Sequence, residues 1–118
     1  MFVNLSNHPS SAWSDSQLAA AHKYGDIVEL PFPVVDELWD SQEVDRMAKL
    51  YQDKVHSLSG PNNCVVHVMG EMTFTHKLVT LLKMGGYRCV ASTTKRDVVL
   101  LHDGSKNVKF LFCRFREY

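Results

Sequence analysis

The chain has little of what would mark a membrane-bound, secreted or nucleic-acid-coating protein. Its 13 lysines and arginines balance its 13 aspartates and glutamates. No field of one sign therefore extends over it to attract a long nucleic acid or an anionic membrane, and any cationic function has to be local. No apolar run approaches the ~18 residues a membrane span needs. Met1-Phe-Val-Asn-Leu5 carries neither a basic stretch nor a long apolar one, so no signal peptide is expected. There are only three cysteines. Cys64, Cys89 and Cys113 each sit in an apolar run and none belongs to a C-x-x-C pair, which points to reduced, packed thiols and a cytoplasmic protein.

The motifs that are missing narrow the chemistry. Without H-E-x-x-H, a histidine–cysteine grouping or a carboxylate cluster, no metal site is expected. Neither a Walker loop nor G-x-G-x-x-G is present, so nucleotide hydrolysis and dinucleotide binding have no support, and no cofactor is called for. There is no G-x-S-x-G elbow and no activated cysteine. Internal repeats and low-complexity segments are absent as well.

What is present fits one domain over residues 1–118, long enough to bury a core without staples. Phe2 to Leu5 reads as a strand running into the turn-forming Ser6-Asn-His-Pro-Ser-Ser11. Ser14 to Gln17 fits a capping box for a helix that runs through Leu18, Ala21 and His22 and stops at Gly25. Asp26 to Leu30 is a second strand, ended by Pro31 and Pro33. The apolar loop Phe32 to Trp39 either folds back over the sheet or meets a partner subunit. Asp40 to Glu43 is a second capping box, followed by Val44, Met47, Ala48, Tyr51, Val55 and Leu58 at helical spacing. Cys64 to Val68 is apolar almost throughout, as a strand buried on both faces of a parallel sheet should be. Phe74, Leu78, Leu81 and Leu82 stripe a third helix that ends at Gly85-Gly86, and Tyr87 to Ala91 follows as a fourth strand. Asp97 to His102 and Asn107 to Phe115, around Asp103-Gly104, read as a hairpin.

The order β-α-β-α-β-α-β-β-β predicts a single Rossmann-like α/β sandwich, mostly parallel with an antiparallel C-terminal hairpin. Ligands bind such sheets at the carboxyl ends of the strands, where the strand order reverses. That rule gathers Ser6–Ser11, Gly70–Thr73 and Ser92–Arg96.

Gly70-Glu-Met-Thr73 follows a strand and opens a helix, so the N–H groups of Met72 and Thr73 can meet a phosphate; an ordinary helix start looks the same. Glu71 either hydrogen-bonds a ribose or base, orients a catalytic group, or merely complements the helix dipole. In Ser92-Thr-Thr-Lys-Arg96 the hydroxyls position a ligand while Lys95 and Arg96 balance phosphate charge, the alternative being a solvated basic loop. His8, at the end of the first strand, either transfers a proton at neutral pH or serves only as a turn residue. His67 reads as a satisfied core or interface histidine, and His22, His56 and His102 as surface positions.

Asn4-Leu-Ser-Asn-His8, Met69-Gly-Glu-Met-Thr73 and Ser92-Thr-Thr-Lys-Arg96, in a small α/β chain, resemble the small CRISPR-associated Rossmann-fold (CARF-type) proteins, including stand-alone ring nucleases of type III systems. The resemblance implies a homodimer that binds a cyclic oligoadenylate across its two-fold axis and opens the ring without metal, by attack of a ribose 2′-OH. It makes His8 the acid or base, Lys95 and Arg96 the charge stabilisers, and Ser6, Asn7, Gly70, Glu71, Met72, Thr73, Ser92, Thr93 and Thr94 the ligand-positioning set. Glu71 departs from the pattern, since its charge opposes a polyanion. A non-catalytic sensor or sink, and an interaction protein with no small ligand, are the alternatives.

Overall fold

Every residue of β1 (Phe2–Ser6) is buried, so the strand needs neighbours on both edges and cover on both faces. The computed structural model, which describes residues 1–118, supplies all of these. Parallel strands β2 (Ile27–Glu29) and β3 (Val65–Met69) flank β1. Beyond β3 come β4 (Arg88–Leu100), parallel to it, and β5 (Lys106–Glu117), antiparallel to β4. The sheet order is β2-β1-β3-β4-β5. The chain winds one way from β1 to β2 and the other way from β3 onward, so the strand order reverses between β1 and β3. This is the expected mixed α/β sheet with a C-terminal hairpin.

Three helices cover the sheet. On one face α1 (Asp15–His22) joins Phe2, Val65, Val90 and Phe115 in a small aromatic cluster edged by Trp13, Tyr24 and Phe112. On the other face α2 (Ser41–Leu58) and α3 (Met72–Met84) bury Val44, Ala48, Tyr51, Val55, Phe74, Leu78 and Leu82 against Val3, Leu5, Val66 and Val68. Both expected serine/aspartate caps form: Gln17 N–H donates to Ser14 Oγ at 3.3 Å and Glu43 N–H to Asp40 Oδ1 at 3.0 Å. No helix is long and apolar enough to cross a membrane.

One expectation is corrected. Ser92–Arg96 is not a loop between two strands; it lies inside β4, and the expected fourth and fifth strands are a single one. Between Ser92 and Leu100 the chain pairs continuously with β5, with one irregularity at Thr93/Thr94. Its threonines and valines favour extended backbone, and a hairpin partner satisfies the ladder without any help from a core. The count is therefore five strands rather than six.

The loop after β2 does fold back. Phe32, Val35 and Trp39 pack against the larger core, leaving Val34 and Leu38 almost fully exposed at 88% and 87%. Phe32 settles over Gly70 so closely that a Cβ built there would lie 2.2 Å from its ring. Gly70 does not adopt a positive φ, so space rather than backbone conformation requires glycine at this position. Gly70→Ala should cost roughly 1–3 kcal/mol through overpacking. In a Phe32→Ala background the same change should cost close to nothing. Equal costs in the two backgrounds, measured by urea denaturation, would show that the contact does not set the residue.

Candidate functional site

Side chains at matched register positions of adjacent parallel strands point to the same face. Asn4 is in register with Glu29 on one side and with His67 on the other. Three neighbouring strands therefore present a row, Glu29–Asn4–His67, on the face that α1 covers. Asn4 and His67 are buried at 0% and 1% exposure, so every polar atom of the row needs a partner.

Asn4 makes the row coherent. Its Nδ2 donates to both Glu29 carboxylate oxygens (3.2 and 3.1 Å) and to the His8 carbonyl (3.0 Å). Its Oδ1 accepts from Ser6 Oγ at 2.7 Å and pairs with His67 Nδ1 at 2.9 Å. Acceptors on one side and a hydroxyl donor on the other fix the orientation of the amide. Because Oδ1 can only accept, His67 Nδ1 carries the proton. Nε2 is then a bare acceptor, and it has no partner. Around the imidazole ring are Phe2, stacked with ring centres 6.0 Å apart, and Trp13 and Phe115, each 5.4 Å from it centre to centre. His67 is thus satisfied at one nitrogen only, against the expectation of a fully satisfied core histidine. Burial, helped by the nearby His8 imidazole and opposed by Glu29, pushes its pKa down to about 4.

The same network pins the turn after β1. The His8 carbonyl accepts from Asn4 Nδ2 at 3.0 Å and Trp13 Nε1 at 3.1 Å, with Ser6 Oγ 3.1 Å away. Ser10 N–H closes the turn onto Glu29 Oε1 at 3.0 Å. The backbone of His8 is fixed while its side chain remains exposed at the sheet edge.

The structure brings part of the expected set together. Asn7 N–H donates to Met69 O at 3.2 Å, and the Ser92 backbone and hydroxyl sit 3.2 and 2.9 Å from Met69 Sδ. The ends of β1 and β3 and the middle of β4 therefore meet at one edge. Thr93 donates to Arg114 O at 3.1 Å. Thr94, Lys95 and Arg96 pair with Phe112, Leu111 and Phe110 and are exposed on the projecting hairpin. Lys95 lies about 10 Å beyond Ser92 at ~3.3 Å per residue. The two ion pairs of the structure lie elsewhere, so neither cation is spoken for.

The turn at Gly70 differs from a vacant phosphate cradle. The Glu71 carboxylate accepts from the N–H groups of Thr73 (3.0 Å) and Phe74 (2.8 Å) and from Thr73 Oγ1 at 2.8 Å. It is the N-cap of α3, with its own charge on the helix dipole, and the Phe74 and Thr73 donors hold its pKa below the ordinary value. Met72 is the first helical residue and is 82% exposed. Beside this turn a groove of about 440 Å³ runs from Met69 and Gly70 along Thr75 and Lys83 to Tyr118. Thr75 Oγ1 is buried in this region without a partner.

Sequence reasoning missed the row. The signal for it was a single polar residue in each of two apolar strands, Asn4 in Phe2–Leu5 and His67 in Cys64–Val68. Glu29 lies in a strand too short to show a pattern.

Fold and edge together define a Rossmann-like α/β sandwich with a buried polar row beside its switch point and a hairpin reaching past it. The chain belongs to the uncharacterized protein MJ1673 family, whose model matches residues 1–116. No curated protein and no solved structure matches the chain.

His67 gives a pH test. Unfolded, the imidazole titrates near 6.5; folded, near 4. Across that interval the unfolded chain holds more protons, so the contribution of His67 is complete above about pH 6.5 and is lost as pH falls toward 4. The loss amounts to roughly 3 kcal/mol. An NMR titration should place the His67 midpoint near 4, and a midpoint near 6.5 would refute the buried neutral assignment.

Proposed function

We propose that the protein is a cytoplasmic binder of a cyclic oligoadenylate, acting as a homodimer in CRISPR-linked antiviral defence, and that it opens the ring without a metal. The observation that carries this reading is the meeting of Asn7, Met69–Gly70 and Ser92 at the switch-point edge. His8 is fixed there by its carbonyl, and Lys95 and Arg96 stand beyond it on β4.

In this reading a ribose 2′-OH attacks the adjacent phosphorus and the P–O5′ bond breaks. The products are a 2′,3′-cyclic phosphate and a 5′-hydroxyl, and the proton lost by the 2′-OH is returned to the leaving oxygen. His8 is the exposed group at the edge suited to moving it. Lys95 and Arg96 balance phosphate charge elsewhere on the ring, and the larger part of catalysis comes from in-line alignment at the scissile phosphate. A ligand of several nucleotides is needed to reach from His8 to the hairpin cations, which suits a ring better than a mononucleotide.

Glu71 takes a defined place in this scheme. Its carboxylate holds the helix donors that a phosphate would use, and it is exposed enough to swing away. Ligand binding then exchanges one anion for another at the start of α3.

A second reading, binding without cleavage, is favoured by the ~10 Å between Ser92 and Lys95, which separates the cations from the edge where His8 stands. Labelled cyclic tetra- and hexa-adenylate incubated with the protein in EDTA separates the two readings. Cleavage to a cyclic phosphate end supports the first and retention of intact ring the second, whereas no binding refutes both. Lys95→Ala with Arg96→Ala should weaken binding at least tenfold; unchanged affinity would remove the hairpin from the site. Glu71→Gln should lower stability by about 1 kcal/mol while tightening ligand severalfold, and weaker binding would show that Glu71 reads the ligand directly.

A further inference from the structure

Exposed apolar surface is concentrated in two places. Of fourteen large hydrophobic residues that are exposed, seven lie on the β4–β5 hairpin between Val98 and Leu111, while Val34 and Leu38 lie in the loop before α2 and Met72 at the start of α3. Phe110 and Leu100, at 68% and 72% exposure, lead the first group. A long exposed apolar hairpin is a liability in solution unless something covers it.

The two surfaces carry opposite charge. Residues 94–112 hold four cations (Lys95, Arg96, Lys106, Lys109) against Asp97 and Asp103. Residues 34–45 hold five carboxylates (Asp36, Glu37, Asp40, Glu43, Asp45) and no lysine or arginine. Only Asp45 among these is paired, with Lys77 at 3.2 Å. Between α2 and α3 the acidic segment borders a groove of about 380 Å³, with Trp39, Val44 and Met72 on its apolar side and Asp40, His76 and the paired Asp45 and Lys77 in its polar lining.

The chain cannot satisfy itself. Phe112 packs into the aromatic cluster on the α1 face. Cross-strand partners share a face and alternate along each strand, so Arg96/Phe110, Val98/Val108 and Leu100/Lys106 lie on that same face. The acidic groove is on the opposite side, between α2 and α3. We infer that the hairpin of one copy docks its apolar tip, with Lys106 beside Leu100, into the acidic groove of a second copy, and receives the second copy's hairpin in return. Two identical reciprocal contacts close around a two-fold axis and leave no free hairpin to propagate a chain of molecules. The inference needs no ligand and stands apart from the ring-opening reading.

Reciprocity makes it testable by mixing, using sedimentation of the full chain. The protein should be a dimer. A hairpin variant (Phe110→Asp with Leu100→Asp) and a groove variant (Glu37→Lys with Met72→Asp) should each weaken self-association at least tenfold while keeping the circular dichroism of the fold. Mixed one to one, they should regain dimers, because the intact hairpin of one meets the intact groove of the other. A monomeric parent overturns the inference. So does a groove variant that still dimerises as the parent does, or a mixture that stays monomeric.

Discussion

The buried amide of Asn4 is the contact on which the sheet edge depends. A parallel sheet offers few places for a polar side chain, because both faces are covered and water is excluded. Asn4 is tolerated because both ends of its amide are used. One end is held by acceptors from β2 and the turn after β1, the other by the hydroxyl of Ser6 and the imidazole of His67. Loss of the amide would leave a carboxylate, a hydroxyl and an imidazole without their shared partner, a cost larger than that of one missing hydrogen bond. The same amide fixes which nitrogen of His67 is protonated and where the His8 carbonyl sits. Chemistry proposed for the edge therefore rests on a group that touches no ligand.

Most of the fold was legible because its signals are local. The capping residues Ser14 and Asp40, the helical stripe from Val44 to Val55 and the apolar run of β3 each announce an element with the period that element imposes. The continuous strand through Ser92–Arg96 was not legible. Its polar composition resembles a loop, and only the pairing with β5, a long-range fact, makes it a strand. The site was read in part. Topology brought the turn after β1 to the Met69–Gly70 turn, and Ser92 joins them. Three features depended on distances that sequence does not carry: the register that aligns Glu29, Asn4 and His67, the ring of Phe32 over Gly70, and the carboxylate of Glu71 folded onto its own helix.

These features give the carboxyl edge a different character from an open phosphate cradle. The helix start is already occupied by an internal anion, and an aromatic ring lies over the adjacent glycine. Free positive charge has been moved out of the sheet and onto the hairpin. A ligand of high charge and large span would suit that layout better than a compact one, and the polyanionic ring proposed above is of that kind.

The unbroken course of β4 also has a mechanical meaning. Val90, in the aromatic cluster and in register with His67, and Arg96, in solvent, belong to one hydrogen-bonded ladder with no hinge between them other than the irregularity at Thr93/Thr94. A strand pair of this kind behaves as a short stiff lever with that irregularity as its fulcrum. Whatever grips the tip therefore holds the same ladder whose inner end forms part of the wall around the neutral imidazole of His67.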